Sequence, residues 1–139
     1  TVLFRGYIEP ERLSELLATG DIHVVPLKTG LARVSVPSKT YSIMAAGRPV
    51  LAAIDPDTAV PRILAESGGG VAVPPDDSAA FIEGLRSLLD DPDRARAMGR
   101  AGRSWAERHA SPAAVGDAYD ELIRELSHRS DVGSPHGGL

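Results

Sequence analysis

At 139 residues, 42% of them hydrophobic, the chain is long enough for one globular domain with a sizeable core. Fifteen Lys and Arg against nineteen Asp and Glu leave a net charge of −4 with no basic block, which excludes a nucleic-acid groove and a polybasic membrane contact. Cysteine is absent, which excludes a disulfide framework and thiolate metal sites, and no apolar stretch approaches the roughly 20 residues of a membrane span.

Thr1 leads straight into Val2, Leu3 and Phe4, so the chain is expected to open inside a strand, as an excised piece does, with "TVLFRG" closed by Gly6. Pro10 marks a helix start, Leu13, Leu16 and Leu17 share one face, and Gly20 ends the helix. "DIHVVPL" is a short apolar strand of the kind buried in a parallel sheet, and residues 28–36 form a loop. Ser38 is the expected N-cap of a helix through Met44, Ala45 and Ala46, with Gly47 as its left-handed stop. "PVLAAI" is the third strand. The turn "DPD" follows, then a short helix that places Pro61 in its first turn, and "GGGVAVPP" supplies a fourth strand. Three helices close the chain: Asp77 caps one with Phe81, Leu85 and Leu88 on a face, Asp91-Pro92 opens one with Ala95, Met98, Gly102 and Trp105, and Ser111-Pro112 opens one with Val115, Tyr119, Leu122 and Leu126.

Strand-helix alternation predicts right-handed crossovers and an open parallel α/β sheet with helices on both faces, followed by C-terminal helices. Phe4, Val24, Val25, Val50, Leu51 and Val71 are the expected strand residues, and the loops after Phe4, Pro26 and Ala53 should share one rim. The domain is expected over residues 1–126, with residues 127–139 a disordered tail.

Ligands of such sheets bind beyond the carboxyl ends of the strands. The candidate loops are residues 5–9, 27–39 and 54–58, of which the second is the longest and ends at Ser38 and Lys39. Unpaired backbone N–H groups and a cation there suit a diphosphate, whereas an ordinary cap and a solvated lysine account for the same letters. Gly68, Gly69 and Gly70 precede a strand instead of following one, so they do not match a dinucleotide fingerprint, and a Walker A sequence is absent. His23, His109, His128 and His136 have no metal-ligand spacing; His23 is expected to be a partnered strand residue. Asp55 and Asp57 read as turn residues, Glu66 as a surface residue, "DRARAMGRAGR" as a solvated helix face and Trp105 as a packing anchor.

The stretch "VPSKTYSIMAAGRPVLAAIDPDTAVPRILAESGGGVAVPPDD", with "VLFRGYI", "DIHVVPL" and "LLDDPDRARAMGRAG" around it, resembles the C-terminal donor domain of retaining glycosyltransferases of family 4 with GT-B architecture, of the bacterial cell-surface polysaccharide type. The likeness runs from Val2 to about Leu126 and rests on the joint order of the pieces. It implies nucleoside contacts from Arg5, Gly6, Tyr7 and Ile8 and diphosphate contacts from Ser38, Lys39 and Thr40. The family often carries two glutamates separated by seven residues; their places here are Val34 and Ser42. Ser42 can still hydrogen-bond a ribose hydroxyl, and backbone N–H groups from Ser35 and Val36 to Ser38 are implied as substitutes along the diphosphate.

The resemblance implies an incomplete donor domain. Its parent would transfer a sugar, with a UDP-sugar as the expected donor, to a carbohydrate or lipid-linked acceptor held by a missing N-terminal domain. No cofactor or metal is implied, and no general base is visible, so the catalytic residues stay unassigned. The chain alone should be inactive and should self-associate through an exposed sheet edge. A nucleotide-sugar 2-epimerase and a non-catalytic nucleotide-sugar-binding or assembly module are the alternatives. The expected location is cytoplasmic, with attachment to the inner membrane face as a variant for the parent protein.

Overall fold

The computed structural model describes residues 2–34 and 37–131, with side chains to residue 128. The apolar runs become strands β1 (His23–Pro26), β2 (Val50–Ala53) and β3 (Gly70–Val73). They form one parallel sheet in the order β1-β2-β3, with Val24 beside Leu51 and Leu51 beside Val71. β2 is central and buried throughout, which is why its sequence is continuously apolar instead of alternating.

Among the described residues six α-helices alternate with or follow these strands: α1 (Leu13–Thr19, behind a 3-10 turn at Pro10–Arg12), α2 (Lys39–Ala45), α3 (Ala59–Ser67), α4 (Ser78–Leu89), α5 (Pro92–His109) and α6 (Pro112–Asp131). The period of two along β2 sends Val50, Ala52 and Ile54 to one face, where Met44 of α2 and Ile63 and Leu64 of α3 meet them. Leu51 and Ala53 face the other way and pack with Val73, Phe81 and Leu88. Helices thus cover both faces of the sheet, as the alternation predicts.

α5 closes the end of the sheet where the strands begin. A Cβ on its Gly102 would lie 3.2 Å from the Gly69 Cα just before β3, and one on Gly99 would press on the Gly47-Arg48 backbone just before β2. The arginine-rich run is therefore solvated on one side only; Gly99 and Gly102 are buried on the other. Trp105 is the anchor expected, with its ring centroid 6.5 Å from that of Tyr41 and 5.0 Å from that of His109.

Several helix ends follow the local chemistry expected of them. Gly47 takes φ 72°, and the bonds Gly47 N–H to Met44 O and Arg48 N–H to Ile43 O complete a Schellman stop. Asp77 accepts from Ala80 N–H at 2.9 Å, Asp91 from Arg94 N–H at 2.9 Å and Ser111 Oγ from Ala114 N–H at 3.2 Å. The cap expected at Ser38 is not made: its own backbone is already helical (φ −56°, ψ −26°) and its side chain caps nothing. A capping hydroxyl needs an extended backbone to reach forward. We expect Asp91→Ala to cost about 1 kcal/mol and Ser38→Ala only a few tenths in urea unfolding; equal losses would contradict this arrangement.

Two further expectations are corrected. Residues 2–6 form no strand, and Val2, Leu3 and Phe4 are exposed, Phe4 to 94%. A strand exists through its hydrogen-bonding neighbour, and among the described residues β1 pairs only with β2. The last helix does not stop at Leu126 but runs through Ser127, whose Oγ donates to Ile123 O at 2.9 Å, to Asp131. The rest of the expected tail, residues 132–139, lies outside the described residues.

Candidate functional site

The carboxyl ends of β1, β2 and β3 leave three loops on one rim, residues 27–38, 54–58 and 74–77. Each belongs to a short strand whose ladder ends there, with Leu27 N–H bonded to Ala53 O at 2.9 Å and Ile54 N–H to Val73 O at 3.0 Å. The first loop is tied to both of the others. Gly30, at φ 84°, donates its N–H to both carboxylate oxygens of buried Asp55, at 3.0 and 2.9 Å. Thr29 donates its N–H at 3.1 Å and its hydroxyl at 2.8 Å to one oxygen of Asp76.

These Thr29 bonds, the backbone one foremost, hold the Asp76 carboxyl below its ordinary range, and the Lys28 charge acts in the same direction. Asp76 itself stands at φ 58°, the left-handed region. The "DPD" turn forms as its composition suggests, closed by Thr58 Oγ1 donating to Asp55 O at 2.7 Å. Asp55 does more than turn the chain, since its side chain reaches back to the neighbouring loop. Between the two loops lies an open groove of about 430 Å³, lined by Ala32 and Arg33 on one side and Asp57, Thr58 and Ala59 on the other.

Ser38 and Lys39 are exposed at the rim end of α2. Thr40 is fully buried, and its Oγ1 has no hydrogen-bond partner among the described residues. Ser42, one turn after Ser38, is half-buried and lines a separate groove of about 460 Å³ between α1 and α2, with Pro10, Glu11, Leu13, Ser14 and Leu17 across from it. Arg5, Gly6 and Tyr7 are exposed and Ile8 half-buried in a segment without regular structure ahead of that groove. Val34, at one glutamate place, is 84% exposed. Ser35 and Val36 lie outside the described residues. His23 is partnered as expected, its Nε2 lying 2.8 Å from Leu17 O.

Sequence reading takes Asp55 for a turn residue and does not single out Asp76. An acid placed directly after a wholly apolar buried strand, at the ligand rim, was the available signal for Asp55. Asp76 had none, because "PPDD" is ordinary turn and cap composition.

A parallel sheet with helices on both faces defines a Rossmann-like α/β unit. The chain belongs to the glycosyl transferases group 1 family, whose profile matches residues 1–91. It is 39% identical over 75 residues to the probable glycosyltransferase WbjE of Pseudomonas aeruginosa, a match covering 54% of this chain and 18% of that protein. It is 31% identical over 140 residues to D-inositol 3-phosphate glycosyltransferase of Streptomyces avermitilis, covering 98% of this chain and 28% of that one. It is also 31% identical over 129 residues to a GDP-mannose-dependent monoacylated alpha-(1-6)-phosphatidylinositol monomannoside mannosyltransferase of Corynebacterium glutamicum, covering 88% and 32%. Among solved structures, sucrose-phosphate synthase of Thermosynechococcus elongatus superposes with a TM-score of 0.72 at 26% identity, over 91% of this chain and 30% of that one. The chain thus spans less than a third of the length of each of these proteins. Among the described residues no helix is long and apolar enough to cross a membrane.

Proposed function

We propose that the chain is the donor-binding part of a retaining, GT-B, family 4 glycosyltransferase that moves a sugar from a nucleoside diphosphate to a carbohydrate or lipid-linked acceptor. The family match over residues 1–91 carries this reading. The rim supports it, because Lys39 is exposed where the diphosphate of a donor on a parallel sheet would lie. One relative is named for its dependence on GDP-mannose, which supports a nucleoside diphosphate sugar as the donor class. The P. aeruginosa relative supports a place in surface-polysaccharide assembly.

In the proposed reaction negative charge grows on the departing nucleoside diphosphate. A fixed cation and hydrogen-bond donors at that point stabilise the transition state more than the ground state, with protein groups in place of a metal ion. Lys39 is the cation proposed, Ser38 a hydroxyl donor beside it, and Ser42 the group nearest the ribose, in the groove toward which Arg5, Gly6, Tyr7 and Ile8 lead. Ser35 and Val36 remain proposed backbone donors to the diphosphate.

Calorimetric titration of UDP and of GDP into the 139-residue chain tests this. We expect one of them to bind and Lys39→Ala to weaken it by about 1.5 to 3 kcal/mol, more than tenfold, with little change in unfolding midpoint. Failure of both nucleotides to bind the wild-type chain would remove the donor reading. Binding undiminished in Lys39→Ala would remove Lys39 from the site.

A further inference from the structure

The loop after β1 carries one wall of the 430 Å³ groove, at Ala32 and Arg33, and its regular structure among the described residues is the 3-10 turn Leu31–Arg33. Left-handed Gly30 begins that turn and brings no side chain of its own. Two side chains from outside the loop hold it at Thr29 and Gly30. The Asp55 carboxylate, 25 positions away and buried at the end of the central strand, takes the Gly30 N–H between its two oxygens. The Asp76 carboxylate, 47 positions from Thr29, takes that residue's N–H and hydroxyl together. Two adjacent residues of one loop are thus held by two carboxylates from the two neighbouring rim loops.

We propose that Asp55 and Asp76 are positioning residues that clamp Thr29 and Gly30 and so set the Ala32 and Arg33 wall of the groove on the ligand rim, where the donor nucleotide binds. The inference rests on the donor reading above and adds to it two residues that need not touch the ligand. A charged acceptor binds an N–H more firmly than a neutral one, and a buried one meets less competition from water, so Asp55 is the stronger half of the clamp. Asp76 is exposed, and its share comes from gripping two donors at once.

The backbone at residue 76 permits a clean test. At φ 58° glycine is at ease, so Asp76→Gly removes the carboxylate without straining the turn, and a residue needed only for that turn would not be missed. Asn in place of either Asp keeps a carbonyl oxygen and tolerates the left-handed region. Amide hydrogen exchange and calorimetry are measured on the 139-residue chain and on Asp76→Gly, Asp76→Asn, Asp55→Ala and Asp55→Asn, using UDP and GDP as probes.

In Asp76→Gly and Asp55→Ala we expect the Thr29 and Gly30 amides to exchange about tenfold faster or more and nucleotide affinity to fall at least about threefold. The Asn variants should restore most of both. Unchanged exchange in both Asp76→Gly and Asp55→Ala overturns the clamp. Faster exchange with undiminished nucleotide affinity overturns the positioning role while the donor reading stands. Loss of nucleotide binding by the wild-type chain itself defeats the donor reading, and the positioning role with it.

Discussion

Gly99→Ala is expected to destabilise the chain by about 2 to 4 kcal/mol, although alanine is the better helix former by about 1 kcal/mol in an unobstructed helix. The added Cβ would sit 2.9 Å from the Gly47 carbonyl carbon and 3.2 Å from the Arg48 Cα, and closer still to the Gly47 oxygen. These are backbone atoms and cannot rotate aside. Gly47 is itself pinned at φ 72° by the two bonds that stop α2, so the turn cannot retreat without opening that stop. α5 would have to lift from the sheet end, and Ala95 and Ala106, buried on either side of Gly99, would lift with it.

Gly116→Ala is the control. It lies in α6 with nothing within 4 Å of the added carbon, so helix propensity should act alone and stability should hold or rise by up to about 1 kcal/mol. Urea unfolding of both variants reads the contrast. A Gly99→Ala chain with the wild-type midpoint would mean that α5 does not dock on Gly47 as described.

This pair also shows where sequence reading stops. The period of small and apolar residues in α5 is visible in the letters, and Ala95, Met98, Gly102 and Trp105 identify its inner face. That Gly99 lies closest to another backbone is not visible, because the approach depends on where α2 ends in space. The strands β1, β2 and β3 were legible for the opposite reason. A run such as Val50 to Ile54, flanked by Pro49 and Asp55, has few solutions other than a buried parallel strand. The opening segment has the same apolar letters and forms no strand, since pairing belongs to two segments and cannot be read from one.

The candidate site divides in the same way. Ser38 and Lys39 could be placed at the rim from the strand-loop-helix order alone, but whether Ser38 caps depends on its φ and ψ, which the letters do not set. Thr40 sits two residues after Ser38 on a short helix, and the helical repeat turns it inward. Asp55 and Asp76 act on Gly30 and Thr29 across 25 and 47 positions, and their composition fits turns equally well. Local chemistry was legible and long-range pairing was not.

The other large effect tests the second face of the sheet. Leu51 is fully buried at the centre of β2 and faces α4, so Leu51→Ala is expected to cost about 3 kcal/mol through lost burial and the cavity left behind. The size of that cavity depends on what can move into it, and Gly84 lies directly over it. A Cβ on Gly84 would be 3.0 Å from Leu51 Cδ1 and 3.2 Å from Val73 Cγ1. In the wild-type chain Gly84→Ala therefore gains about 1 kcal/mol of helix propensity and loses about 1 to 3 to crowding, for a net loss. Once Leu51 is cut back to alanine the crowding falls away, and the same methyl fills part of the void. Gly84→Ala should then be stabilising by about 1 kcal/mol, and the double-mutant cycle should show a coupling of about 1 to 3 kcal/mol. Urea unfolding of the four chains measures it. Additivity to within about 0.5 kcal/mol would mean that α4 does not sit on Leu51 through Gly84.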